Sequence, residues 1–149
     1  MKDKARIWAV IPAAGTGSRF GADYSKQYAG INNATVLEHS AAALLQQKSL
    51  QKIVIALHAD DTHGAQLPLL QHEKIIFVCG GAERTDSVLQ ALLYLREYAE
   101  KDDWVLVHDA ARPCLSVSDL QKLIDSLRDD SVGGLLAVPA TDTLKKIDG

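Results

Sequence analysis

The sequence predicts an α/β fold with a mostly parallel central sheet. Three observations carry this. Short apolar runs rich in β-branched residues recur along the chain, as strands covered on both faces require. Segments with helical spacing separate them, and the two kinds alternate over all 149 residues. That length suits one domain, spanning residues 1–149, with a sizeable core.

The first strand is IWAVIPA, Ile7 to Ala13. A basic start and an apolar run resemble a secretion signal, but the run is short and leads into a glycine loop, which reads as a strand in a cytoplasmic protein. Thr35 and Glu38 then form a capping box ahead of Val36, Leu37, Ala41, Leu44 and Leu45, an apolar stripe on a helix. IVIAL (Ile53 to Leu57) and IIFV (Ile75 to Val78) are the next strands. Val88, Leu92, Leu95 and Ala99 mark a second helix, and WVLVH (Trp104 to His108) a fourth strand. In the third helix, Ser118 to Leu127, residues Leu120, Leu123, Ile124 and Leu127 share one face, and Ser118 with Gln121 can cap it. GGLLAVPA (Gly133 to Ala140) reads as a fifth strand, and TDTLKKIDG as a short polar one.

Composition narrows the function. A net charge of -3 with 23% charged residues gives no nucleic-acid surface, so any basic site must be local. No segment approaches the ~18 apolar residues of a membrane span. Cys79 and Cys114 stand far apart, outside any CxxC pattern, and are expected to be small, buried or half-buried residues, neither bridged nor zinc-bound. His39, His58, His63 and His72 show no metal-ligand spacing.

Ligands of open α/β sheets bind at the carboxyl ends of strands. Three segments there are unusual: PAAGTGSRF, CGGAERTDS and HDAARPC. In the first, Gly15 and Gly17 suit either a tight strand-exit turn or a phosphate cradle, although the spacing is neither a P-loop nor a complete GxGxxG. Arg19 and Lys26 follow in a segment whose only acid is Asp23; each alone reads as a solvated cation, and together they suit phosphate oxygens. In the second, Gly80 and Gly81 precede a helix start, where Ser87 adds a hydroxyl for a polar heterocycle and Thr85 or Asp86 can cap. In the third, Asp109 closes a buried strand, a position for a magnesium ion or a ribose hydroxyl, or for an ion pair with Arg112. His108 reads as a core or rim residue.

PAAGTGSRF, SKQY, GGAERTDSV and HDAARP, in this order and spacing, resemble the cytidylyltransferases, most closely the 2-C-methyl-D-erythritol 4-phosphate cytidylyltransferases of the non-mevalonate isoprenoid pathway. The resemblance runs from Ile7 to Lys146. It implies a Rossmann-like nucleotidyltransferase, three-layer α/β/α, with a projecting arm that builds a homodimer. The implied reaction joins CTP to methylerythritol phosphate and releases pyrophosphate, with magnesium as the cofactor. By motif, Pro12, Ala13, Ala14, Gly15 and Gly17 would line the CTP site, and Arg19 and Lys26 would stabilise the transition state. Gly81 and Ser87 would read the cytosine. Asp109 and Ala110 would lie near ribose, metal and substrate, and Arg112 and Thr143 would contact methylerythritol phosphate, Thr143 in the neighbouring subunit's site.

A phosphate monoester is largely ionised near neutral pH, so this reaction needs positioning and charge stabilisation more than a general base. The sequence departs from the family pattern at Ser25, where proline is common, and at Ala82, where some members carry an acid. Family members also continue further, so the chain is expected to be an amino-terminal portion ending within or near the arm, at about residues 140–149. Rival readings are ribitol 5-phosphate cytidylyltransferase, which more often shows LAGG and HDAVRP, and a nucleotide-binding fragment without turnover.

Overall fold

The computed structural model describes residues 5–15 and 25–139. Ile7–Ala13 forms β1, the predicted strand residue for residue. After a 3-10 turn at Lys26–Tyr28, two short strands, β2 (Gly30–Ile31) and β3 (Ala34–Thr35), make an antiparallel hairpin. Asn32 turns its corner at φ 53°, a left-handed conformation that asparagine tolerates well. The hairpin delivers Thr35 to the start of α1 (Val36–Leu45). There the predicted capping box forms: Glu38 N donates to Thr35 Oγ1 at 3.2 Å and Thr35 N to Glu38 Oε2 at 2.9 Å.

β4 (Leu50–Leu57) begins three residues before the predicted run, because Leu50 already pairs with Ile7. The crossover to β5 (Ile75–Cys79) uses 3-10 turns at Gly64–Gln66 and Pro68–Gln71, the second burying Leu70. α2 (Arg84–Leu95), β6 (Trp104–Val107) and α3 (Val117–Leu127) follow. The four long strands form one parallel sheet in the order β5-β4-β1-β6. Strand alternation divides the core into two layers. Ile7, Ala9, Ile11 and Ala13 pack with Leu37, Ala41 and Leu44 of α1 and Leu120 of α3; Trp8 and Val10 face Ala91 and Leu95 of α2. This is the expected three-layer α/β/α arrangement.

Several local expectations change. Ser116, not Ser118, caps α3: its backbone is extended and its hydroxyl accepts from Asp119 N at 3.1 Å. α2 approaches the sheet through small Ser87 and Ala91, which turns Leu92 outward, away from the predicted stripe. Cys79 and Cys114 are exposed rather than buried or half-buried, Cys79 at the end of β5 and Cys114 in the turn that precedes α3. The predicted fifth strand is not formed over residues 133–139: Leu135 is 77% and Val138 88% exposed. A strand exists through its ladder to a neighbour, and no described strand pairs with this run. The predicted polar strand beyond it lies outside the described residues. No helix among the described residues is long and apolar enough to cross a membrane.

The amino-terminal end of the sheet is held by Asp103. Its carboxylate accepts from Arg6 N (2.9 Å), Arg6 Nε (3.0 Å), Trp8 Nε1 (2.9 Å) and Glu100 N (3.0 Å). Its side chain is only 5% exposed. Burial alone would raise its pKa, but the hydrogen bonds from Trp8, Glu100 and Arg6 outweigh burial and hold it at about 2.

Candidate active site

Strands are added to one side of β1, as β4 and then β5, before the chain crosses to its other side for β6. That reversal makes the carboxyl ends of β1 and β6 the crevice where such sheets bind ligands. The three unusual segments leave the sheet at this edge, from β1, β5 and β6. Gly17, Arg19 and Thr143 lie outside the described residues.

Pro12 sits inside β1, opposite Ala56 of β4. His108 N donates to Val10 O, so the groups of Val10, and by alternation of Pro12, face β6. Pairing with β6 ends at Val10, so the proline removes no ladder bond. Ala13 and Ala14 are buried and Gly15 is exposed, with open space where a Cβ would stand. The chain returns to this strand end at Ser25, whose hydroxyl donates to Gly15 O at 3.4 Å, a tie that proline cannot make. Gln27 is buried and donates from Nε2 to Ala13 O at 2.6 Å. Tyr28 donates from its hydroxyl to Asp61 Oδ2 at 2.6 Å. Burial first, and then the hydrogen bond to Asp61, push the Tyr28 pKa well above the usual phenol value. Lys26 projects from this turn, exposed, with no carboxylate of the described residues paired to it.

Gly80 continues the ladder, its N–H donating to Leu57 O at 2.7 Å, and passes over the end of β4 to reach Ala14. A Cβ built on Gly80 would lie 2.5 Å from Ala14 Cβ and 3.3 Å from Leu57 O. One on Gly81 would lie 2.2 Å from Asp86 Cβ. Both glycines are therefore required by close approach. Gly80→Ala is expected to cost about 1–3 kcal/mol through overpacking, read as a lower urea midpoint; an unchanged midpoint would show that these loops are not packed together. Ser87 is 2% exposed. Its hydroxyl accepts from Gly81 N at 3.2 Å and donates toward Glu83 O at 3.2 Å, so it shapes the glycine loop from beneath. The cap of α2 is Glu83, with Asp86 Oδ2 accepting from Glu83 N at 3.0 Å, rather than Thr85 or Asp86.

The β6 loop meets the β5 loop through Asp109. Arg84, the first residue of α2, donates to Asp109 Oδ1 from Nε (2.9 Å) and Nη2 (2.7 Å). Arg112 Nε donates to Oδ2 at 2.9 Å. Burial raises the Asp109 pKa, but hydrogen bonds from Arg84 and Arg112 and their charges bring the net shift down, so the carboxylate stays ionised. Two guanidiniums thus share the one carboxylate of Asp109. Ala110 is buried, and its carbonyl accepts from Ser40 Oγ at 3.0 Å, which ties the loop to α1. His108 is half-buried, as a rim residue should be. Burial holds its pKa below the usual value, and Nδ1 finds no partner among the described residues.

The expected ion pair between Asp109 and Arg112 is formed, and Arg84 joins it on the other carboxylate oxygen. Both carboxylate oxygens accept from guanidiniums. Among the described residues no three His, Cys, Asp or Glu side chains converge on a common point. Sequence reasoning missed two residues here. Arg84 carries no sign of its role in the sequence, since its partner is 25 residues away. Gln27 gave only its place beside Lys26 as a signal.

Comparison with known proteins shows the family and the fold. The family model for IspD, 2-C-methyl-D-erythritol 4-phosphate cytidylyltransferase, matches residues 7–149. Proteins of that name from Pseudomonas fluorescens and Pseudomonas syringae pv. tomato are 54% and 55% identical over 143 residues, covering 95% of this chain. A crystal structure of 4-diphosphocytidyl-2C-methyl-D-erythritol synthase superposes with a TM-score of 0.84 at 32% identity, covering 97% of this chain and 65% of that one. The chain spans 61% of the length of the two Pseudomonas relatives.

Proposed function

The chain belongs to the 2-C-methyl-D-erythritol 4-phosphate cytidylyltransferase family, and from that premise we propose that the whole protein transfers a cytidylyl group from CTP to 2-C-methyl-D-erythritol 4-phosphate. The observation that carries this reading is the convergence of the family's motif segments on the carboxyl ends of β1, β5 and β6. A phosphate oxygen of the substrate attacks the α-phosphorus of CTP in line. A new P–O–P linkage forms, the bond between the α-phosphorus and the bridging oxygen breaks, and pyrophosphate leaves with that electron pair.

Both reactants are anions, so the enzyme's work is to hold them together and offset their charge. In this reading Pro12, Ala13, Ala14, Gly15 and Gly17 line the nucleotide, while Arg19 and Lys26 face the α-phosphoryl oxygens. Gly81 presents backbone groups to cytosine, held in shape by Ser87, and Ala110 lies near the ribose. Arg112 takes the substrate phosphate. Asp109 orients Arg112 and Arg84. Magnesium enters this reading as a companion of the triphosphate, held mainly by its oxygens. A homodimer in which Thr143 serves the neighbouring site belongs to the same reading, as does a cytoplasmic setting, where CTP is held.

Pyrophosphate release by the full-length protein tests the assignment. Release is expected with CTP and methylerythritol phosphate together, and with neither alone. Faster release with ribitol 5-phosphate would overturn the substrate, and a protein that binds CTP without any turnover would overturn the enzymatic reading.

A further inference from the structure

Lys26 stands on a single 3-10 turn, which has too few hydrogen bonds to fix its own orientation. Two backbone bonds close the turn, Tyr28 N to Ser25 O at 2.9 Å and Ala29 N to Lys26 O at 3.2 Å. Its orientation is set from outside. Gln27 points inward, 6% exposed, and its Nε2 donates to the carbonyl of Ala13, the last residue of β1. In a 3-10 helix successive side chains are about 120° apart, so fixing Gln27 inward fixes the direction in which Lys26 leaves the turn. A buried amide facing a carbonyl is costly to misplace, because rotation of the turn would strand both groups without partners. The same bond joins the lysine's turn to the Ala13–Gly15 segment.

We propose that Gln27 is a positioning residue that aims Lys26 at the phosphate-binding end of β1. This rests on the reading above, in which Lys26 stabilises charge at the α-phosphate. Gln27 is buried and so acts through Lys26; its hydrogen bond to Ala13, beside the weaker one from Ser25 to Gly15, ties the lysine's turn to the strand end. Misplacing a catalytic group by the order of an ångström can slow a reaction by up to ~100-fold.

The test is a double-mutant cycle on the full-length protein, with kcat and the KM for CTP measured for Gln27→Met, Lys26→Ala and the pair. Methionine keeps the length and apolar fit of glutamine without the N–H donor. Gln27→Met is expected to lower kcat about tenfold, with KM for CTP changed less than about threefold. Added to Lys26→Ala, it is expected to change kcat less than twofold, because the group it positions is gone. Thermal melting checks that each variant is folded. If the methionine variant does not fold, Gln27→Asn, which keeps the amide but is too short to reach Ala13 O, takes its place in the cycle. A slow Lys26→Ala beside a Gln27→Met of parental kcat overturns this inference alone. An equal loss from Gln27→Met in both backgrounds also overturns it, since the residue would then act through general structure. A parental kcat for Lys26→Ala overturns both the role of Lys26 and the inference built on it.

Discussion

The Lys26→Ala variant of the full-length protein is expected to turn over about 100- to 1000-fold more slowly, the ~3–4 kcal/mol of barrier lost when a preorganised charge donor is removed. CTP binding should weaken far less, because the cation matters most where negative charge concentrates, in the transition state. Lys26 is exposed and meets no described carboxylate, so removing it leaves no buried charge and should not unfold the protein. Stopped-flow or steady-state pyrophosphate release gives kcat, and titration calorimetry gives CTP affinity. The same loss is expected for Arg19→Ala from the sequence pairing of the two cations. An unchanged kcat in both variants would remove them from the mechanism.

The second large effect lies at the opposite end of the sheet. Asp103→Ala is expected to lower stability by about 3 kcal/mol, since it leaves the buried Trp8 indole N–H and two backbone amides without their acceptor. The pH dependence identifies the cause. The Asp103 pKa is depressed in the folded state, from 3.8 to about 2, so its contribution is fully present above pH 4 and is lost as pH falls toward 2. That contribution is about 2 kcal/mol. Urea melts at pH 7 and pH 2.5 should therefore show a gap between parent and variant that narrows on acidification. A gap that stays constant would mean the carboxylate's charge is not what holds Arg6 and Trp8.

The layers of the fold were legible because their signals are local and periodic. The apolar run Ile7 to Ala13 and the Thr35–Glu38 pair need no knowledge of distant residues, and both formed as read. Ser116 and Leu92 show the limit of that reading. Two neighbouring serines offer equal chemistry, and only the backbone entering α3 chooses between them; Leu92 fits a helical stripe, but the small faces of Ser87 and Ala91 decide which side meets the sheet. The fifth run failed for another reason, since strand formation depends on a neighbour and not on composition alone.

At the site, the sequence indicated the segments and much less of their wiring. Glycines, cations and acids after strands are visible in one dimension. The bond from Gln27 to Ala13 spans 14 positions, and the pairing of Arg84 with Asp109 spans 25, so neither leaves a periodic trace. Of the readings the sequence offers for Asp109, the ion pair with Arg112 three residues on is formed, and the pairing with Arg84 is the one that sequence spacing does not show.

The contact between Gly80 and Ala14 bears on inheritance. Even with glycine at position 14, a Cβ at position 80 would still lie 2.9 Å from Ser87 Oγ and 3.3 Å from Leu57 O, so no replacement at position 14 alone makes room for it. A backbone of this shape therefore keeps glycine at position 80. Drift at position 80 is thereby restrained by neighbours as far as 66 positions back along the chain.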